Sequence, residues 1–78
     1  MKTMTCKQLG GACNKTFSAN SFEAIAELSK QHGTEMFHAK DAPHMEAMNK
    51  MMELMKSPEA MMAWFDEKES TFNALAED

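Results

Sequence analysis

The eight residues Cys6-Lys-Gln-Leu-Gly-Gly-Ala-Cys13 decide how the chain begins, because they hold both cysteines and the only Gly-Gly pair. Gly10 and Gly11 supply the positive φ angles that a two-residue primed turn requires. We therefore predict a two-stranded antiparallel hairpin over about residues 2–17, with its turn at the two glycines.

The register of this hairpin places the two cysteines on the same side. Gln8 faces Cys13 across the turn, and Cys6 shares the face of Gln8, so the two sulfurs converge. Diagonal Cα atoms lie about 7 to 8 Å apart, which is wide for a disulfide and suited to a shared ion. The pattern favours metal chelation, with a disulfide or free thiols as the alternatives.

The rest of the chain predicts three helices. Asn20, with Glu23 three residues later, resembles a capping box, and Pro43 and Pro58 each stand at a first helical position. Apolar residues at three- and four-residue spacing give each helix an apolar face, and the first helix turns that face toward the hairpin. Three helices are predicted, over about residues 21–37, 43–56 and 58–75. We predict an α+β fold, a small N-terminal hairpin packed on three helices, as a single domain over residues 1–78.

Composition and charge exclude several classes of protein. Twelve acidic residues against eight lysines give a net charge of -4, which argues against binding to the phosphate backbone of nucleic acids. The sequence offers neither a signal peptide nor an apolar run that would span a membrane, so we expect a cytoplasmic protein. A chain of 78 residues commonly needs a metal, a disulfide or a partner subunit for stability.

The strong nitrogen and sulfur ligands are few. They are Cys6, Cys13, His32, His38 and His44. His32 lies on the apolar face of the first helix. His38 comes six residues later, a rotation of about 600° that puts it on a different face of a continuous helix. His38 therefore joins the site only if the helix breaks at Gly33. Otherwise Glu35, His44 or water supplies the fourth ligand. We predict one structural zinc ion held by Cys6, Cys13, His32 and His38.

The opening residues, Met-Lys-Thr-Met-Thr-Cys-Lys-Gln-Leu-Gly-Gly-Ala-Cys, are followed by an aromatic strand and a capped helix with a histidine near its end. This half of the chain resembles an uncharacterised bacterial family of predicted small metal-binding proteins. The resemblance implies metal binding, and the family pattern falls on Cys6, Gly10, Cys13 and His32. In that family a second histidine follows the first closely, at positions that hold Met36 and Phe37 here, so His38 departs from the pattern.

The chain contains ten methionines, several of them on one stripe of the second helix. The stripe consists of Met45, Met48, Met52 and Met55, widened by Met51 and Leu54. Methionine binds Cu(I), but a helical stripe is more typical of core packing. Because this arc is wider than one buried face needs, we expect part of it to form a homodimer contact.

Catalysis finds little support in the sequence. A cysteine and a histidine can form a nucleophile and its base, but no oxyanion element or phosphate-binding loop accompanies them. We therefore predict a protein that is not an enzyme. The alternative to a zinc protein is a metal-free helical module that dimerises or binds a partner through its methionine-rich surface.

Overall fold

The computed structural model describes residues 1–77, and its architecture confirms the predicted α+β fold. It contains two strands, a short 3-10 helix between them, and three α-helices. The elements are β1 (Lys2–Thr5), the 3-10 helix (Lys7–Leu9), β2 (Thr16–Ala19), α1 (Phe22–His38), α2 (Ala42–Met55) and α3 (Pro58–Ala74). The helix bounds lie within one residue of those predicted. Asp78, the last residue of the predicted domain, lies outside the described residues.

The hairpin has the predicted register but a different turn. β1 and β2 pair antiparallel with Met4 opposite Phe17, and the ladder ends where Thr5 meets Thr16. The predicted two-residue turn at Gly10 and Gly11 does not form. A ten-residue loop over residues 6–15, which contains the 3-10 helix, connects the strands instead.

Burial of two side chains explains why the loop replaces a tight turn. Cys6 and Leu9 are three residues apart, so a continued strand would point them to opposite faces of the hairpin. In a 3-10 helix, residues three apart lie on the same side. Cys6 precedes the first residue of this helix and Leu9 ends it, and both side chains are buried. Gly10 then takes a φ of 92° to leave the helix.

Side-chain caps set the starts of the three helices. The Ser21 hydroxyl accepts a hydrogen bond from the Ala24 N–H at the start of α1, so the predicted cap at Asn20 is wrong by one residue. Asp41 and Ser57 cap α2 and α3 in the same way. These caps satisfy backbone donors that the first turn of a helix leaves unpaired.

A left-handed residue redirects the chain between α1 and α2. Helix α1 continues through Gly33, which neither ends nor interrupts it. After α1, Lys40 takes a φ of 56°, its N–H donates to the Phe37 carbonyl and the Asp41 N–H donates to the Met36 carbonyl. These are the two hydrogen bonds of a Schellman motif, and they bring α2 back along α1.

The hydrophobic core lies among the hairpin, α1 and α3. Its members are Met4, Cys6, Leu9, Phe17, Ala19, Ile25 and Phe72. Within α2, all of which the structure describes, His44 alone is buried. The apolar core therefore joins α1 and α3 to the hairpin, while α2 packs on α1 and α3 through half-buried methionines and has His44 as its one buried side chain.

The methionines of α2 are not a packed core. Met45, Met48, Met51 and Met55 are half-buried, and Met52 keeps 64 % of its surface exposed. The predicted stripe exists, but it lines an open surface of the molecule. Among residues 1–77, no helix has the length and apolar character of a membrane-spanning segment.

Candidate metal centre

The loop between the strands aims both cysteine thiols toward the interior. The Cys6 N–H donates to the Lys15 carbonyl at 2.7 Å, and the Lys7 N–H donates to the Cys13 carbonyl at 3.0 Å. These two hydrogen bonds hold the ends of the loop together just beyond the β ladder. The two cysteines therefore lie side by side although the chain between them forms a helical turn.

Gly11 provides the space that the Cys6 thiol occupies. A Cβ atom at position 11 would overlap the Cys6 Sγ and crowd the Cys6 carbonyl. That carbonyl accepts a hydrogen bond from the Gly11 N–H at 2.8 Å. Glycine is thus required at position 11 because of the close approach of the sulfur, whereas the φ of Gly11 is not left-handed.

Two helices supply one imidazole each. His32 projects from the middle of α1, with its Nε2 3.3 Å from the Cys13 Sγ. His44 projects from the first turn of α2, with its Nε2 3.7 Å from the Cys6 Sγ. The two rings meet edge to face with centroids 5.3 Å apart, and the Phe17 ring lies 5.7 Å from that of His32. Three separate segments of the chain therefore deliver four ligand atoms to one point.

The four ligand atoms form a compact cluster that can hold a metal ion. One ligand atom from each of Cys6, Cys13, His32 and His44 lies within 4.8 Å of the other three. Ligand bonds of about 2.0 to 2.3 Å to zinc require ligand atoms about 3.3 to 3.8 Å apart in a tetrahedron. The two sulfur–nitrogen distances of 3.3 and 3.7 Å fall in that range, and the remaining pairs, within 4.8 Å, would need to close by at most about 1.5 Å around an ion.

Asp41 orients His44 from the side opposite the thiols. Its Oδ2 lies 2.5 Å from His44 Nδ1 and also accepts the His44 backbone N–H at 3.2 Å. A metal-ligating histidine usually donates its second ring N–H to such a carboxylate, which fixes the tautomer and the ring orientation. Nδ1 is thus committed to Asp41, and Nε2 remains free to bind a metal.

The pKa values of the two histidines are shifted in opposite directions. The hydrogen bond that His44 donates to the Asp41 carboxylate raises the pKa of His44, and the same contact lowers the pKa of Asp41. Burial, reinforced by the charge of His44, lowers the pKa of His32. His32 is therefore the histidine that more readily presents a neutral ring, while a metal must compete with a proton for His44.

The two thiols also differ. The backbone N–H of Lys15 stabilises the thiolate of Cys13 and lowers its pKa. Burial raises the pKa of Cys6, although the backbone N–H groups of Cys13 and Ala12 oppose the shift. The lowered pKa favours the thiolate, the form that binds a metal, at Cys13, whereas Cys6 must lose a more tightly held proton to bind one. Both cysteines are free thiols, so the alternative of a disulfide does not describe this structure.

The structure brings together three of the four residues predicted to bind zinc, namely Cys6, Cys13 and His32, and places His44 beside them. His38 is exposed and lies outside the cluster. Because α1 continues through Gly33, His38 stays about 240° around the helix axis from His32 and points away.

His44 was among the alternatives for the fourth ligand, and a signal for it exists in the sequence. It shares the helical face of Met48, Met51 and Met55, at spacings of four, seven and eleven residues. Glu35, another of the alternatives, is exposed.

No protein-family model, curated protein or solved structure matches this chain.

Proposed function

We propose that this chain is a small zinc-binding protein whose ion has a structural role. The observation that carries the proposal is the convergence of Cys6, Cys13, His32 and His44 from a loop and two helices. Two thiolates and two imidazoles form one of the common ligand sets of structural zinc sites. The donor set disfavours calcium and magnesium, which take oxygen ligands.

The number of protein ligands supports a structural role over catalysis. Catalytic zinc usually has three protein ligands and keeps one position for water or substrate, whereas structural zinc has four. Four protein ligands would leave no such position, and His32 and His44 are both buried. We therefore propose that the protein is not an enzyme.

A zinc ion would stabilise the packing of α2, which buries few side chains against the rest of the protein. His44 is the one buried residue of that helix, whereas α1 and α3 each place an apolar residue, Ile25 and Phe72, in the core. A bound zinc would join His44 to His32 of α1 and to both cysteines of the loop. Metal binding and the docking of α2 would then be a single event, as in other small metal domains.

Further features support this proposal. Two free thiols in one cluster suit a reducing compartment, which supports a cytoplasmic location. The proposal also fits the resemblance of the first half of the chain to predicted small metal-binding proteins. The two cysteines and two histidines complete a tetrahedral ligand set without a methionine, which favours zinc over a methionine-rich copper site.

Metal analysis of protein purified without a histidine tag tests this proposal. We expect one zinc ion per chain, lost in Cys6→Ser and in His44→Ala. His38→Ala is the matched control, because it removes an exposed histidine outside the cluster, and it should retain the ion. Loss of zinc from His38→Ala but not from His44→Ala would contradict the proposed ligand set.

A further inference from the structure

An open apolar groove runs along α2, and the loop residues Leu9 and Gly10 also line it. Its volume is about 640 Å³, and its apolar wall consists mainly of Phe37, Met45, Met48, Met51, Met52 and Met55. We call this surface the methionine groove. Two of these side chains project strongly, since Phe37 is 54 % and Met52 64 % exposed.

The chain exposes more surface than a compact monomer of its size. Its accessible surface is 5310 Å², whereas a folded monomer of 8.8 kDa typically exposes about 4,800 Å². The excess of about 500 Å² is well over half of the roughly 800 Å² that each partner buries in a stable dimer. The molecule is also thin, with extents of 33, 29 and 15 Å along its principal axes.

The groove has the shape that pairing with an identical copy requires. In a two-fold dimer the same patch serves both partners, so each patch must carry both a projection and a recess. Here Met52 and Phe37 project beside the recess lined by Met45, Met48 and Met55. Methionine side chains adapt readily to one another, which helps two such surfaces interdigitate.

The distribution of charge also favours a second copy. The chain carries a net charge of -4, so most of its surface repels an identical molecule. Among the described residues that line the groove there is no carboxylate, and Lys56 is the single charged group apart from His44. Lys56 itself pairs with Glu53 at 2.9 Å. The groove is thus a surface on which two acidic chains can meet without opposing acids.

We propose that the methionine groove is the interface of a homodimer in which Met52 of each copy fills the recess of the other. The proposal goes beyond zinc binding and names an interaction surface. Met52 and Met62 provide a matched pair for testing it. Both are methionines with 64 % of their surface exposed, but Met62 does not line the groove.

Analytical ultracentrifugation of the zinc-loaded full chain over micromolar to millimolar concentrations tests the interface. We expect wild type and Met62→Glu to sediment as dimers of about 17.6 kDa, twice the 8.8 kDa of one chain. Met52→Glu should weaken association by more than about tenfold, because it places an unpaired charge in each recess. Circular dichroism should show the same helix content in all three proteins.

Two outcomes would overturn the dimer. A strictly monomeric wild type at every concentration would leave the groove to a different partner, such as an amphipathic helix of another protein. Equal weakening by Met52→Glu and Met62→Glu would locate the contact elsewhere. Zinc content measured on the same samples keeps this test separate, since loss of the dimer with one zinc per chain leaves the metal site intact.

Discussion

Replacing His44 by alanine should release α2 from the rest of the protein. His44 is the one buried side chain of α2, and it contributes a ligand atom of the candidate metal centre. An isolated helix shorter than about 12 to 15 residues is marginal in water, and α2 has only 14 residues. Without its attachment, α2 should therefore lose much of its helical structure.

The magnitude follows from the helix lengths. The three α-helices contain 17, 14 and 17 residues, 48 together, of which α2 holds 14 or about 29 %. The far-ultraviolet circular dichroism signal of helix should fall by up to that fraction in His44→Ala. Chelation of zinc from the wild-type protein should lower the signal by a similar amount, because it removes the same attachment.

Native-state hydrogen exchange locates the change along the chain. Amides of α2 should exchange fast in His44→Ala, while those of α1 keep their protection because this helix packs on β2 and places Ile25 in the apolar core. His38→Ala should match wild type in both measurements. Full helix content and undiminished α2 protection in His44→Ala, or an equal loss in His38→Ala, would refute the attachment of α2 through His44.

Three further predictions concern the surroundings of the site. Asp41→Asn should retain the cap of α2, since asparagine caps helices as well as aspartate does, but should weaken zinc affinity about 10- to 100-fold in a competition titration. Gly11→Ala should also weaken zinc binding, because its Cβ would overlap the Cys6 Sγ, whereas Gly33→Ala meets only an ordinary contact at 3.8 Å and should leave affinity unchanged. In the zinc-loaded protein a proton competes with the ion for His44, because the contact with Asp41 raises the pKa of this histidine. A competition titration should show that zinc affinity falls as pH falls through the raised pKa of His44.

Local signals in the sequence were sufficient for most of the fold. Caps and prolines mark the starts of the helices, and the hairpin register follows from the same residues that suggested a tight turn. The prediction of a tight turn was wrong because the side chains of Cys6 and Leu9 are both buried. Their burial depends on α1 and α3 covering the hairpin, which the local sequence does not show.

The fourth ligand depends on tertiary geometry that local patterns do not express. Gly33 suggested a break in α1 that would bring His38 inward, yet the helix continues because glycine is tolerated within it. The reversal that brings His44 to the site occurs at Lys40, a non-glycine residue with a left-handed φ of 56°. Such a conformation is uncommon for lysine, so the sequence gives little sign of it.

X-ray absorption at the zinc edge of the untagged, zinc-loaded protein tests the central claim most directly. The fitted first shell should contain two sulfur atoms at about 2.3 Å and two nitrogen atoms at about 2.0 Å, the contributions of Cys6, Cys13, His32 and His44. A shell without sulfur, or one with two sulfurs that is unchanged in His44→Ala, would contradict the proposed centre.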